Sequence, residues 1–386
     1  MSSPAPLDLD SSATTPVSER VFAAMSPWFR EAYANPGSPS AAGERAREAV
    51  SDARSQLSEF LGAEPREIVF TSGGTESNQT AVRSALRARP GRRTILVSAV
   101  EHSSILSLAP ALEAEGIRMV RIPAGKDGRI EPSELSRMIN AETALVAVMW
   151  VNNETGAINP VREMAGIARE AGALFLTDGV AAAGKVPIDL REVRADFLSL
   201  SAHKFHGPKG VGALFVRKGE EFFPLLPGSQ ERKRRGGTEN VPGIVGLGEA
   251  AKESREFLKE GPSRLSRLRR RLEEGLLACG RSIRRNGPAD EALRAPHIAN
   301  LCFSGIPGEK ILMDLGREGI AVSMGSACSS GSMEPSHVLL AMGFSREEAM
   351  SSLRFSLGRE TSDQDIDRTL AALARILGQE ERRRVS

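Results

Sequence analysis

Lys204 is the residue whose setting most directly suggests chemistry. It follows the apolar run Asp196–Leu200 within Ser201-Ala202-His203-Lys204 and precedes Gly207-Pro208-Lys209-Gly210, which puts it in a sharp turn rather than on a solvated helix face. Burial at such a turn favours the neutral amine, the form that attacks an aldehyde to give a Schiff base. Asp178 follows the run Ala173–Thr177 and so falls at a strand end, the edge at which open α/β sheets bind ligands. A carboxylate there can pair with a protonated ring nitrogen and make the ring an electron sink. Taken singly, these are an ordinary surface lysine and an ordinary strand-end aspartate. At two strand ends in register, they favour a cofactor.

Cys328 is the second candidate. Gly325-Ser326-Ala327-Cys328-Ser329-Ser330-Gly331-Ser332 is a run of small residues without apolar periodicity, bounded by Glu334-Pro335, and reads as a mobile loop at about 323–333. A thiol on such a loop can approach a substrate, accept sulfur as a persulfide and swing toward an acceptor. Cys302, in the strand-like Asn300-Leu301-Cys302-Phe303, and Cys279, at the end of an apolar helix face, read instead as buried small hydrophobes. Gly73-Gly74-Thr75, between a strand and a helix, offers backbone N–H groups and a helix dipole to a phosphate; alone, such a turn is weak evidence.

The elements that position these residues alternate. Short β-branched runs at Glu67–Thr71, Thr94–Ser98, Arg118–Ile122, Ala144–Val151, Ala173–Thr177, Asp196–Leu200 and Gly212–Val216 are separated by helical patterns. This rhythm predicts an α/β fold with a mainly parallel seven-stranded sheet flanked by helices. After about Gly248 the texture shifts to a charged helix over Lys252–Ala278, a strand around Ile298–Phe303 and a final helix after Ser362. The expected organisation is a large domain over 15–250 and a smaller α+β domain from 1–14 and 251–386, the latter carrying the cysteine loop.

Composition bounds the function classes. The 386 residues are 40% apolar and 26% charged, with a net charge of +2. No apolar run approaches the roughly 18 residues of a membrane span, and residues Met1–Asp10 fit neither a secretory signal nor a transit peptide. A cytoplasmic protein is the default expectation. Three cysteines argue for reduced thiols rather than a disulfide framework. The near-neutral charge gives no global field for nucleic acid, and the run Arg232-Lys233-Arg234-Arg235 reads as a solvated face.

Over nearly its whole length the sequence resembles the class V aminotransferase-fold cysteine desulfurases of the NifS/IscS type, which have PLP fold type I. The resemblance runs through Leu9-Asp10-Ser11-Ser12-Ala13-Thr14-Thr15-Pro16, Phe70-Thr71-Ser72-Gly73-Gly74-Thr75-Glu76-Ser77-Asn78, Val151-Asn152-Asn153-Glu154, Ser201-Ala202-His203-Lys204 and Arg354-Phe355-Ser356-Leu357-Gly358-Arg359. It implies pyridoxal 5'-phosphate on Lys204, with Asp178 at the ring nitrogen, His102 stacked on the ring and assisting proton transfer, and Asn153 near ring and substrate. Gly74, Thr75, Ser201 and His203 would hold the phosphate, joined by Thr238 from the other subunit of a homodimer. Asn35 and Arg354 would bind the substrate, Arg354 clamping its carboxylate. L-cysteine would become L-alanine, its sulfur passing to Cys328 as a persulfide and then to an acceptor such as an iron–sulfur scaffold or a tRNA-thiolation enzyme. No intrinsic metal is implied, although Cys328 could transiently ligate an iron–sulfur cluster on a partner, and neither nucleic acid nor membrane is a direct partner. Alternatives are a related lyase or aminotransferase, such as one acting on selenocysteine, and a weakly active sulfur-transfer scaffold. Three positions depart from the family pattern: Ser11 where Asn is usual, Trp150 where His is usual, and Ala181 in place of a Gln that faces the cofactor's phenolic oxygen.

Overall fold

The computed structural model describes residues 6–279, 283–325 and 334–385. Its strands are β1 (Leu7–Asp8), β2 (Ile68–Thr71), β3 (Thr94–Ser98), β4 (Arg118–Ile122), β5 (Thr143–Ala147), β6 (Leu174–Asp178), β7 (Phe197–Ser201), β8 (Gly212–Val216), β9 (Ile283–Asn286), β10 (Ile298–Phe303), β11 (Ile320–Ala321) and β12 (Ser352–Ser356). Seven of them form one sheet in the order β2-β8-β7-β6-β5-β3-β4. The pairs β3–β4, β3–β5, β5–β6 and β6–β7 are parallel, whereas β8 runs antiparallel to both neighbours. The reversal has a simple cause. Only residues 202–211 join β7 to β8, and a parallel crossover needs about a dozen or more.

Period-two alternation sends the strand side chains into two cores. Phe70, Leu96, Val146, Phe175 and Leu198 pack on one face, and Val69, Ile95, Leu145, Leu176 and Phe197 on the other. Helices cover both faces, so the inner strands are buried throughout, as parallel sheets require. Only the edge strand β4 departs from this, exposing Arg118 and Arg121, charges that discourage pairing with another chain.

A third core joins the chain's two ends. Leu7 and Leu9 pack with Leu265, Leu268, Leu272, Leu301, Phe355 and Leu373, around an antiparallel sheet ordered β12-β10-β9 and the parallel pair β1–β11. The charged helix expected over Lys252–Ala278 is two helices, Val241–Phe257 and Gly261–Leu277. Pro262 in the first turn of the second has no N–H to continue the first. Strands β9 and β12 were not anticipated, because Ile-Arg-Arg-Asn and Ser-Leu-Arg-Phe-Ser carry arginines that mask their period. No helix among the described residues is long and apolar enough to cross a membrane.

The sheet is tightest where β8 passes the loop after β2. A Cβ on Gly212 would lie 2.6 Å from Gly73 Cα and overlap the Leu200 carbonyl oxygen. Gly212→Ala should therefore cost about 1–3 kcal/mol by overpacking, lowering the thermal unfolding midpoint. An unchanged midpoint would contradict this contact.

Candidate active site

The parallel strands aim their C-terminal ends at one edge of the sheet, and a cavity of about 570 Å³ opens there. Thr71 of β2 leads into Ser72, Gly73, Gly74 and Thr75; Ser98 of β3 into His102; Ala147 of β5 into Met149 and Asn153; Asp178 ends β6, and Ser201 of β7 leads into His203 and Lys204. All of these except Thr71, Ser98 and Ala147 line the cavity, which Ser11–Thr14 close from the N-terminal segment. The structure thus brings together Gly74, Thr75, His102, Asn153, Asp178, Ser201, His203 and Lys204.

The remaining candidates lie elsewhere. Asn35 and Thr238 are exposed and outside the cavity lining. Arg354, buried on β12, also lies outside that lining; its Nη2 donates to Asp10 Oδ1 at 2.6 Å and its Nη1 to the Asn153 carbonyl at 3.0 Å. Cys328 lies outside the described residues. Cys302 is fully buried as expected, but Cys279 is exposed. The buried stripe Leu265, Leu268, Leu272, Leu276 ends with its helix at Leu277, which leaves Cys279 off the packed face. In the basic run, Arg232 and Lys233 are exposed, while Arg235 is half-buried and paired with Glu76 at 3.0 Å.

Lys204 sits in a single 3₁₀ turn, Ala202–Lys204, with Nζ donating to the carbonyls of Ser12 at 2.5 Å and Ala13 at 2.8 Å. Burial, reinforced by Arg354, brings its pKa down to about 8, against the opposing pull of Asp178 and Asp10. Asp178 is buried and accepts from Asn78 Nδ2 at 2.7 Å and from the Val180 N–H at 2.9 Å. Asn78 also donates to Ser104 Oγ at 2.9 Å. His102 caps the helix Ser103–Leu106, its Nδ1 accepting the Ser104 N–H at 3.1 Å, so the neutral ring carries its proton on Nε2. Although the ring opens to the cavity, the surrounding protein lowers its pKa, chiefly by desolvation.

Two buried groups escaped the sequence reading. Glu101 accepts from Ser98 Oγ at 2.8 Å and from the Met149 N–H at 2.5 Å, while its Oε2 is buried without a partner. Burial and then the nearby Asp178 push it up to about 8, so it is protonated at neutral pH and adds no second charge beside Asp178. Lys185 lines the cavity, 2% exposed, and burial lowers it to about 7. Asn78 was legible in principle: it lies one turn beyond Gly74 on the same helix face. Glu101 and Lys185 carry no such periodic signal.

The opposite wall suits a phosphate. The helix Gly74–Ala88 starts after Gly73 without a side-chain cap, leaving its first N–H groups without intrahelical partners and its positive dipole end toward the cavity. Ser201 and His203 line the same cavity, with His203 Nδ1 3.1 Å from Thr14 Oγ1. Of the three departures, Ser11 and Ala181 line the cavity, and Ala181 offers no side-chain donor. Trp150 instead packs into the sheet core and is not part of the cavity lining.

Because the Lys204 amine is half neutral near pH 8, its attack on an aldehyde should climb to about that pH and level off, while ordinary solvated lysines keep gaining toward about 10.4. Reductive methylation followed at each lysine by mass spectrometry checks this. A Lys204 profile matching the exposed lysines would contradict the effect of burial.

The class-V aminotransferase family matches residues 8–369 of the chain. The cysteine desulfurase NifS of Azotobacter vinelandii is 45% identical over 373 residues, spanning 96% of this chain and 92% of its own. A solved NifS-like protein superposes with a TM-score of 0.90 at 34% identity, covering 97% of this chain and 99% of that one. A structure of SspA in complex with cysteine gives 0.81 at 32% identity, covering 92% and 100%. With a depressed lysine, a buried strand-end aspartate and an uncapped helix N-terminus around one cavity, the chain belongs to the class-V aminotransferase family, in its NifS-type cysteine desulfurase branch.

Proposed function

We propose that this protein is a pyridoxal-phosphate-dependent cysteine desulfurase that converts L-cysteine to L-alanine and passes the sulfur to Cys328. The observation that carries the reading is the meeting of Lys204, Asp178 and the Gly74 helix N-terminus at one cavity, in a chain whose relatives include a cysteine desulfurase and a structure holding cysteine. Bound pyridoxal phosphate supplies an aldehyde for the lysine and a ring that withdraws electrons from the substrate's α-carbon.

The protein's part follows from its own groups. Lys204 carries the cofactor, because a pKa near 8 leaves a useful neutral fraction at physiological pH. Asp178 holds a proton on the ring nitrogen, its two oxygens oriented by Asn78 and the Val180 N–H. The N-terminal N–H groups after Gly73, with Thr75, Ser201 and His203, bind the phosphate; burial holds His203 at about 4, so it acts as a neutral hydrogen-bonding partner. His102 would stack on the ring and move protons at Nε2, and Asn153, in the same cavity wall, would lie near ring and substrate. Arg354 takes the substrate carboxylate when its Nη2 is released from Asp10, and Asn35 contributes to the same subsite. Thr238, exposed in the single chain, completes the phosphate site of the other subunit of a homodimer.

Sulfur transfer then needs no outside oxidant. The Cys328 thiolate forms an S–S bond to the substrate sulfur as the substrate Cβ–S bond breaks. The bonding pair stays on Cβ, which takes up a proton as alanine is completed, and Cys328 is left as a persulfide. An acceptor protein of iron–sulfur assembly or tRNA thiolation then removes the sulfur in the cytoplasm.

Incubating the loaded protein with L-cysteine should release alanine and leave an equimolar persulfide on Cys328 in the first turnover. Cys328→Ser should keep the cofactor's absorbance and its response to cysteine but form no persulfide. Absence of alanine, or a persulfide on Cys279 or Cys302 instead, would overturn the reading.

A further inference from the structure

Glu101 is fully buried where two strands of the large sheet end, and the chemistry assigned so far makes no use of it. Its Oε1 takes both side-chain hydrogen bonds, from Ser98 Oγ at the end of β3 at 2.8 Å and from the N–H of Met149 in the loop after β5 at 2.5 Å. Its Oε2 is buried with no partner among the described residues. That asymmetry marks a neutral acid. An ionised carboxylate would leave charge on a buried oxygen that no donor meets, whereas the protonated acid leaves one hydroxyl unpaired, which costs less. Burial and then Asp178, at the end of β6, act in the same direction and raise the carboxyl to about 8.

The stretch before His102 is fastened residue by residue. The Ala99 N–H donates to the Ile122 carbonyl at 2.9 Å, the Val100 carbonyl accepts from Asn152 Nδ2 at 3.1 Å, and the Glu101 N–H donates to the Ser98 carbonyl at 3.2 Å. The Glu101 carbonyl in turn accepts from His337 Nε2 at 2.9 Å. His102 comes next. The Ser104 N–H on its Nδ1, at 3.1 Å, sets how the ring is turned, but the backbone that delivers the ring decides where it stands. That backbone is pinned to the loop after β5, whose Met149 and Asn153 line the cavity together with His102.

We propose that Glu101 is a positioning residue: as a neutral acid it clamps the end of β3 to the loop after β5 and so fixes where His102 presents its ring in the cavity. Asp178 is the charged group that faces its carboxyl, and His102 and His337 are the titratable groups that flank its backbone. The catalytic use of His102 rests on the desulfurase reading, and the clamp adds to it the residue that sets the ring in place. With the clamp lost, water enters beside His102 and desolvation, the chief cause of its lowered pKa, weakens.

The test uses the protein without cofactor. The His102 ring is titrated by NMR of carbon-13 histidine-labelled protein, its signal being the one that H102Q lacks, and unfolding midpoints are measured over roughly pH 5 to 9. E101A, and E101D with a carboxyl one methylene short of the Met149 N–H, should raise the His102 pKa toward the ordinary histidine value. E101Q, which keeps an acceptor in place of Oε1, should titrate like wild type. The midpoints report the neutral acid separately. A carboxyl whose pKa is raised by folding gives stability that is whole below its ordinary value of 4.5 and is lost as the pH rises to about 8. The midpoint of E101Q should therefore gain on that of wild type through this interval and hold a constant lead above it, whereas a side chain that only packs would give a difference independent of pH. A flat difference overturns the proposal, and so do folded E101A and E101D proteins with the wild-type His102 titration. If neither of those two folds, the E101Q midpoints decide it. Loaded wild-type protein that releases no alanine from L-cysteine would sink the desulfurase reading and leave the clamp standing.

Discussion

The hydrogen bonds from Lys204 Nζ to the carbonyls of Ser12 and Ala13 are the contact on which the rest of the site depends. They bind the N-terminal segment to the turn after β7, and that segment is held on its other side by β12, through Ser11 N–H to the Ser356 carbonyl at 3.1 Å and Ser12 N–H to Ser356 Oγ at 2.9 Å. Asp10 adds its pair with Arg354, Thr14 meets the His203 ring, and Thr15 Oγ1 accepts the His206 N–H at 2.7 Å. Six consecutive residues, Asp10–Thr15, thereby span the interval between the end of the large sheet and the small antiparallel sheet. They also contribute to covering Lys204, whose burial is the larger cause of its lowered pKa. The strap that joins the two sheets is thus also the lid over the amine.

Within that enclosure the charges are few and each is assigned. Burial and the nearby Asp178 raise Glu101 to about 8, so this buried carboxyl is protonated at neutral pH. His102, His203 and His206 are all pushed toward neutrality by burial, which leaves hydrogen-bonding geometry, rather than net positive charge, to orient whatever binds. Asn78 links Asp178 to Ser104, and the Ser104 N–H meets His102 Nδ1, so Asp178 and His102 are oriented through one connected network. Against this, the uncapped N-terminus of the helix Gly74–Ala88 presents backbone dipoles, which cannot be titrated away. The site separates what must hold a proton from what must hold an anion.

Much of this was legible in the sequence because strand periodicity and turn chemistry are local. The bounds of β3, β4 and β8 follow directly from Thr94–Ser98, Arg118–Ile122 and Gly212–Val216, and Lys204 and Asp178 sit at the sheet edge that their preceding apolar runs imply. What was not legible depends on contacts between distant parts of the chain. The run Ala144–Val151 reads as one strand, yet β5 ends at Ala147; beyond it Met149 turns to the cavity and Trp150 to the core. Glu101 looks like any polar residue beside a histidine until Ser98 and the Met149 N–H are found on it. Cys279 completes an apolar stripe on paper, but its helix ends before the stripe can bury it.

On the proposed function, the amine at the turn after β7, beneath the N-terminal strap, is the group that would carry the cofactor. Three lysines reach the same cavity, Lys185, Lys204 and Lys209, so the claim discriminates among neighbours. Borohydride reduction of the protein loaded with pyridoxal phosphate, followed by peptide mapping, tests it directly: the account predicts the label on Lys204, and a label on Lys185 or Lys209 would contradict it.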